Sequence, residues 1–115
     1  MKWFLAKLVY RIICGDGDHT AQFDEQLRLI AAADEREGLL RAADIGRAEE
    51  DNFYNHKEQL VRWQFIGVPE LYPLNELTDG AELYSRVKEV DDAMSYVTFV
   101  QNKAQQLREV SSYAN

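Results

Sequence analysis

The 115-residue chain has the length of one domain, and 46% hydrophobic against 29% charged residues is a globular rather than a disordered composition. Its one cysteine, Cys14, excludes an intrachain disulfide, and no run approaches the ~20 apolar residues of a membrane span. A formal net charge of −7 disfavours nucleic acid, because such a chain repels phosphate at long range. These features predict a cytoplasmic protein in a reducing compartment, without membrane association. The acidity is local: residues 16–58 hold twelve acids against five bases, while residues 1–15 are basic.

In chain order, residues 2–13 alternate, with Phe4, Ala6, Leu8, Tyr10 and Ile12 on one side, which predicts a half-buried strand. Lys7 and Arg11 interrupt the apolar run, so it reads as a strand rather than a leader peptide. Gly15-Asp16-Gly17-Asp18 supplies turn chemistry, and a second strand over about 21–32 completes a hairpin, with Phe23, Leu27 and Leu29 expected on the core face. Asp34 followed by Glu37 fits a capping box, which predicts a helix to about Asp51. Its buried stripe is expected to hold Leu39, Ala42, Ala43, Ile45 and Gly46, the glycine marking close approach to the sheet.

Asn52–His56 reads as a loop. A third strand covers about 58–68, with Val61, Trp63 and Phe65 inward, a bulge or bend near Gly67-Val68-Pro69, and extended chain to Leu74. Asp79-Gly80 turns the chain into a fourth strand at about 81–89, with Leu83 and Val87 inward. Val90, Ala93, Met94, Val97, Val100, Ala104 and Leu107 fall at helical spacing and predict an amphipathic helix over about 91–109.

The expected fold is therefore α+β. It is an antiparallel four-stranded sheet in the order ββαββα, with one helix on its apolar face and a C-terminal amphipathic helix. Residues 1–109 are expected to form one domain and residues 110–115 a frayed tail.

Several segments together resemble an uncharacterised family of small bacterial proteins known only as a domain of unknown function. They are Trp3-x-x-x-Lys7, Ala42-Ala43-x-x-Gly46, Val61-Arg62-Trp63-Gln64-Phe65, Leu71-Tyr72-x-Leu74 and Asp79-Gly80-x-Glu82-x-Tyr84-Ser85-Arg86. The resemblance covers roughly residues 2–88. It implies no activity, cofactor or catalytic residue.

On the face of the sheet opposite the core, alternation places Lys7, Arg11, Arg28, Arg62, Arg86 and Lys88 together with Trp3 and Tyr84. Arginine offers planar paired donors for carboxylate or phosphate, and aromatics offer rigid contact area, so these eight residues are candidates for binding a ligand or partner. An ordinary solvated face with cross-strand ion pairs accounts for the same residues. Glu49, Glu50 and Asp51, at the helix end where the dipole disfavours acids, are a candidate docking edge for a basic partner or merely solvated.

Cys14, Asp16, Asp18 and His19 lie on one turn without the spacing of a calcium loop or a paired zinc site, so no metal site is assigned. No cofactor and no catalytic residue is assigned either. The leading expectation is a non-catalytic protein-binding module of inhibitor, immunity or regulatory type that acts through charged surfaces. The alternative is a small-molecule-binding or enzymatic domain that uses the basic–aromatic face for an anionic ligand. The apolar stripe of the C-terminal helix either packs within its own chain or forms a homodimer, and the residues leave both open.

Overall fold

A computed structural model describes residues 1–114, with side chains through Val110. Four strands, β1 (Lys2–Cys14), β2 (Gln22–Ala32), β3 (Asp51–Tyr54) and β4 (Leu60–Leu74), form one antiparallel sheet in the spatial order β2-β1-β4-β3. Helix α1 (Glu35–Ala48) follows β2, and α2 (Ala93–Ala114) ends the chain. The class is α+β in the order ββαββα, as the sequence predicts. The chain divides into two compact units, Met1–Tyr84 and a second that begins at Ser85.

The first unit has its core between one face of the sheet and α1. Phe4, Ala6, Leu8 and Tyr10 of β1, Ile30 and Ala32 of β2, and Ala42 of α1 form the buried cluster, with Trp63, Phe65, Val68 and Leu71 of β4 packed against it. The helix starts where Asp34 accepts a hydrogen bond from the Glu37 amide at 2.9 Å, and the Glu37 carboxylate accepts one in return from the Ala33 amide at 3.1 Å. The expected capping box is present with one change: the return bond reaches the amide of Ala33, one residue before the N-cap Asp34. The helix buries a stripe of small residues, Gly38, Ala42 and Gly46, which brings its backbone down on the sheet. The expected stripe needs correction at Leu39, which is exposed. Four-residue spacing through Gly38, Ala42 and Gly46 defines the contact line, and Leu39 falls a hundred degrees off Gly38, on the flank.

Three strand assignments also change. The β1–β2 register pairs Phe4 with Ile30 and Tyr10 with Asp24, so Ile30 and Ala32 face the helix, whereas Phe23, Leu27 and Leu29 face the other way and are about half exposed. Every side chain of β2 is on the side opposite to the one expected. Period-two alternation makes face assignment all-or-none, and on β2 the bulkier apolar residues are the outward ones.

The fourth strand is not residues 81–89. Its place at the sheet edge is taken by Asp51–Tyr54, which hairpins with β4 through a turn in which the Asn55 carboxamide oxygen accepts from the amides of Lys57 and Gln59. Residues 81–92 have no helix or strand, and Leu83 and Val87 are exposed. The expected bulge is present: register shifts between Lys7 and Val9, and again between Val9 and Tyr10, put extra β4 residues around Ile66–Pro69. Helix α2 runs to Ala114, beyond the expected end near Glu109, and the last residue of the expected frayed tail, Asn115, lies outside the described residues.

Candidate functional site

The strands that pack on α1 are longer than the helix: thirteen residues of β1 span roughly 43 Å against roughly 21 Å for the fourteen of α1. Past the end of α1 the same face of the sheet carries polar and aromatic side chains from all four strands: Asp24, Gln26 and Arg28 of β2, Tyr10 of β1, Trp63 of β4, and Asp51 and Phe53 of β3. With Glu49, the C-cap of α1, seven of these residues line a groove of about 360 Å³; Asp24 is bonded to two of them, Gln26 and Trp63.

A chain of hydrogen bonds fixes its floor. Arg28 donates from Nε and Nη2 to Gln26 Oε1, at 3.1 and 2.8 Å. Gln26 Nε2 donates to Asp24 Oδ2 at 2.6 Å, and the Trp63 indole N–H donates to the same oxygen at 3.2 Å. Arg28 Nη1 pairs with Glu49 Oε2 at 2.8 Å. Phe53 stacks on Trp63 with ring centroids 6.1 Å apart and 26° between the planes. The hydroxyl of Tyr10 donates to the Gly46 carbonyl at 2.8 Å, and burial pushes this phenol above its ordinary pKa. Tyr10 is thus a core tyrosine with a satisfied hydroxyl.

The acidic edge divides in its roles. Glu49 is ion-paired to Arg28, which offsets the unfavourable position of a carboxylate at a helix C-terminus. Glu50 accepts the Phe65 amide at 2.9 Å, which satisfies a β4 donor just beyond the last β3 pairing. Asp51 opens β3 and lines the groove.

The eight residues expected on one basic–aromatic face are not brought together as a set. Arg28 lies on the helix side of the sheet because of the β2 register. Trp3, Lys7 and Arg11 of β1 and Arg62 of β4 do share the opposite face. There Lys7 is held by Glu70 at 2.9 Å and Glu25 at 3.5 Å, and the hydrogen bond to Glu70 raises the pKa of its ammonium. Tyr72 donates to Glu70 at 2.5 Å, a bond that, with burial, pushes the phenol up to about 12. Tyr84 packs edge-on against Tyr72 at 5.5 Å. Arg86 and Lys88 belong to the second unit and to no strand, so the alternation that placed them does not apply; Lys88 lies over the Tyr96 ring at 5.0 Å.

Phe53 of the groove and Asp24, which accepts from Gln26 and Trp63, are residues that sequence patterning did not single out, and Trp63 was expected inward without this hydrogen bond. Phe53 falls in the four-residue strand read as a loop, too short to show alternation, although Asn55-His56-Lys57-Glu58 is legible afterwards as a hairpin turn. Among the described residues no three histidine, cysteine, aspartate or glutamate side chains are grouped to hold a metal, and no helix is long and apolar enough to cross a membrane.

No curated protein and no solved structure matches the chain. A family model described as Domain of unknown function (DUF4288) matches residues 3–85, which span the whole sheet, α1 and the groove. The chain is therefore a member of the DUF4288 family, a domain of unknown function.

Proposed function

We propose that the chain is a non-catalytic protein-binding module of inhibitor, immunity or regulatory type, and that the groove at the end of α1 receives a lysine or arginine side chain of a basic partner. The observation that supports this most directly is that the Phe53–Trp63 stack lines one groove with the carboxylates of Asp51 and Glu49, while the Trp63 indole is bonded to Asp24. An aromatic face with carboxylates around it attracts a guanidinium or ammonium group through both cation–π and Coulomb terms. At the groove three acids, Glu49, Asp51 and the Asp24 bonded to Trp63, stand with one arginine, Arg28, so the local field is negative and steers basic surfaces. The groove's polar groups are tied to each other: Arg28 to Glu49 and Gln26, Asp24 to Gln26 and Trp63. Such a network holds a surface in shape, as recognition requires, with its ionisable groups engaged.

The test is a pull-down with the tagged chain from its native lysate at low and moderate salt, read by mass spectrometry and repeated with variants. A salt-sensitive partner retained by Arg62→Glu but lost by Asp51→Lys and by Phe53→Ala supports the proposal. A partner captured equally by all three variants, or no partner at low salt, overturns it.

A further inference from the structure

Strand β2 is an edge of the sheet, eleven residues long, and pairs on its inner side with β1 without a bulge. Among the described residues nothing bonds to its outer backbone edge. Proteins blunt a free edge of this length with proline, bulges, brevity or charge, and of these β2 has only charge, Asp24, Glu25 and Arg28, which carry both signs. The opposite edge, β3, is four residues long. Along β2 the open face of the sheet carries exposed Phe23, Leu27 and Leu29, an apolar row at the rim of the molecule.

We infer that a second copy of this chain pairs antiparallel with β2 about a two-fold axis at Gln26, which joins the two four-stranded sheets into one. The charges of β2 select that register. With Gln26 on the axis, Asp24 stands opposite the partner's Arg28 in two equivalent pairs, and Phe23 stands opposite the partner's Leu29. A shift that centres Glu25 puts like charges face to face, and one that centres Leu27 sets both Asp24 and Glu25 against apolar residues, Ile30 and Leu29, where the Gln26 register so places only Glu25, against Leu27.

The remaining hydrogen-bonding capacity is complementary as well. Arg28 uses one N–H each from Nε, Nη1 and Nη2 within its own chain, which leaves two donors. Among the described residues Asp24 accepts only at Oδ2, which leaves Oδ1. A two-fold axis normal to the sheet also keeps both α1 helices on the same face of the joined sheet, whichever residue it passes through. Gln26 and Arg28 line the groove, so the partner's copies of these residues extend the groove across the axis. The inference goes beyond the binding proposal, and its readout, the mass of the purified chain, is independent of any partner.

The experiment is sedimentation equilibrium of the full chain, alone. The wild type is expected at twice the monomer mass. Two double variants remove the same apolar pair from an exposed surface and differ only in sign across the axis. Phe23→Glu/Leu29→Glu places like charges opposite one another and weakens the dimer at least tenfold, whereas Phe23→Glu/Leu29→Lys places opposite charges there and retains it. In a Cys14→Ser background, Gln26→Cys cross-links on mild oxidation and Gln22→Cys does not. Three results overturn the inference: a monomer at every concentration, equal dimerisation by the two double variants, or a dimer lost only on substitution of α2 by Val100→Glu/Leu107→Glu.

Discussion

Arg28 of β2 and Glu49 at the C-cap of α1 meet at 2.8 Å across the helix side of the sheet. The pair joins a residue expected on a basic face to one expected on an acidic edge. Its side chains are 36% and 48% accessible, so solvent screens the attraction. A double-mutant cycle on Arg28→Gln and Glu49→Gln by urea denaturation should therefore give a coupling of at most about 1 kcal/mol. The same Arg28→Gln change leaves the groove's carboxylates without their cation. Association with a basic partner should then speed up several-fold at low salt and lose that gain at high salt, as stopped-flow mixing would show.

The helix–sheet contact makes two glycines of one helix behave oppositely. A methyl at Gly46 would stand 2.6 Å from Cδ1 and Cζ of Phe65, inside van der Waals contact. A methyl at Gly38 would stand 3.4 Å from Phe4 and 3.5 Å from Leu71, at ordinary contact. Gly46→Ala is expected to destabilise by roughly 1–3 kcal/mol, while Gly38→Ala gains up to about 1 kcal/mol of helix propensity. Thermal melts of the two variants with opposite signs would establish this; a matching loss in both would contradict it.

The Tyr10 hydroxyl, with the residue 1% exposed, is the partner of the Gly46 carbonyl. Tyr10→Phe removes the donor and leaves that oxygen unpaired in the core. A loss of about 1–2 kcal/mol is expected in equilibrium unfolding. Because Tyr10 and Gly46 both meet Phe65, their variants should combine non-additively.

Tyr72 should be among the last phenols to ionise, since its donation to Glu70 and its partial burial hold it near 12 against an ordinary value of 10.0. The folded chain keeps this proton more tightly than the unfolded chain. The contribution to stability is therefore complete below pH 10 and fades as the pH rises through about 12. Lys7, raised chiefly by its hydrogen bond to the same carboxylate, acts with the same sign. Phenolate absorbance titrations should lose their most alkaline step in Tyr72→Phe, and Glu70→Gln should move that step to lower pH. An unchanged alkaline limb in both variants would count against the assignment.

The sequence by itself determined what depends on local chemistry. Alternation from Phe4 to Tyr10 named the central strand and its core face, Asp34 and Glu37 named the start of α1, and Gly46 marked its closest approach to the sheet. Val61, Trp63 and Phe65 were legible as inward residues because the hydrophobic pattern of β4 agrees with its environment. The family resemblance was legible too, through segments spread from Trp3 to Arg86, and residues 3–85 fit the family model.

Only the tertiary structure decided which face of β2 is inside and which segment completes the sheet. On β2 the larger apolar residues lie outward, because α1 covers only the Ile30–Ala32 end and leaves Asp24, Gln26 and Arg28 to face the groove beyond it. Hydrophobicity alone cannot register that a helix is shorter than the sheet beneath it. The fourth position likewise went to a four-residue strand held by a hairpin turn, rather than to a longer segment with strand-like alternation. Strand pairing rewards proximity and closure more than propensity, and both are properties of the folded chain.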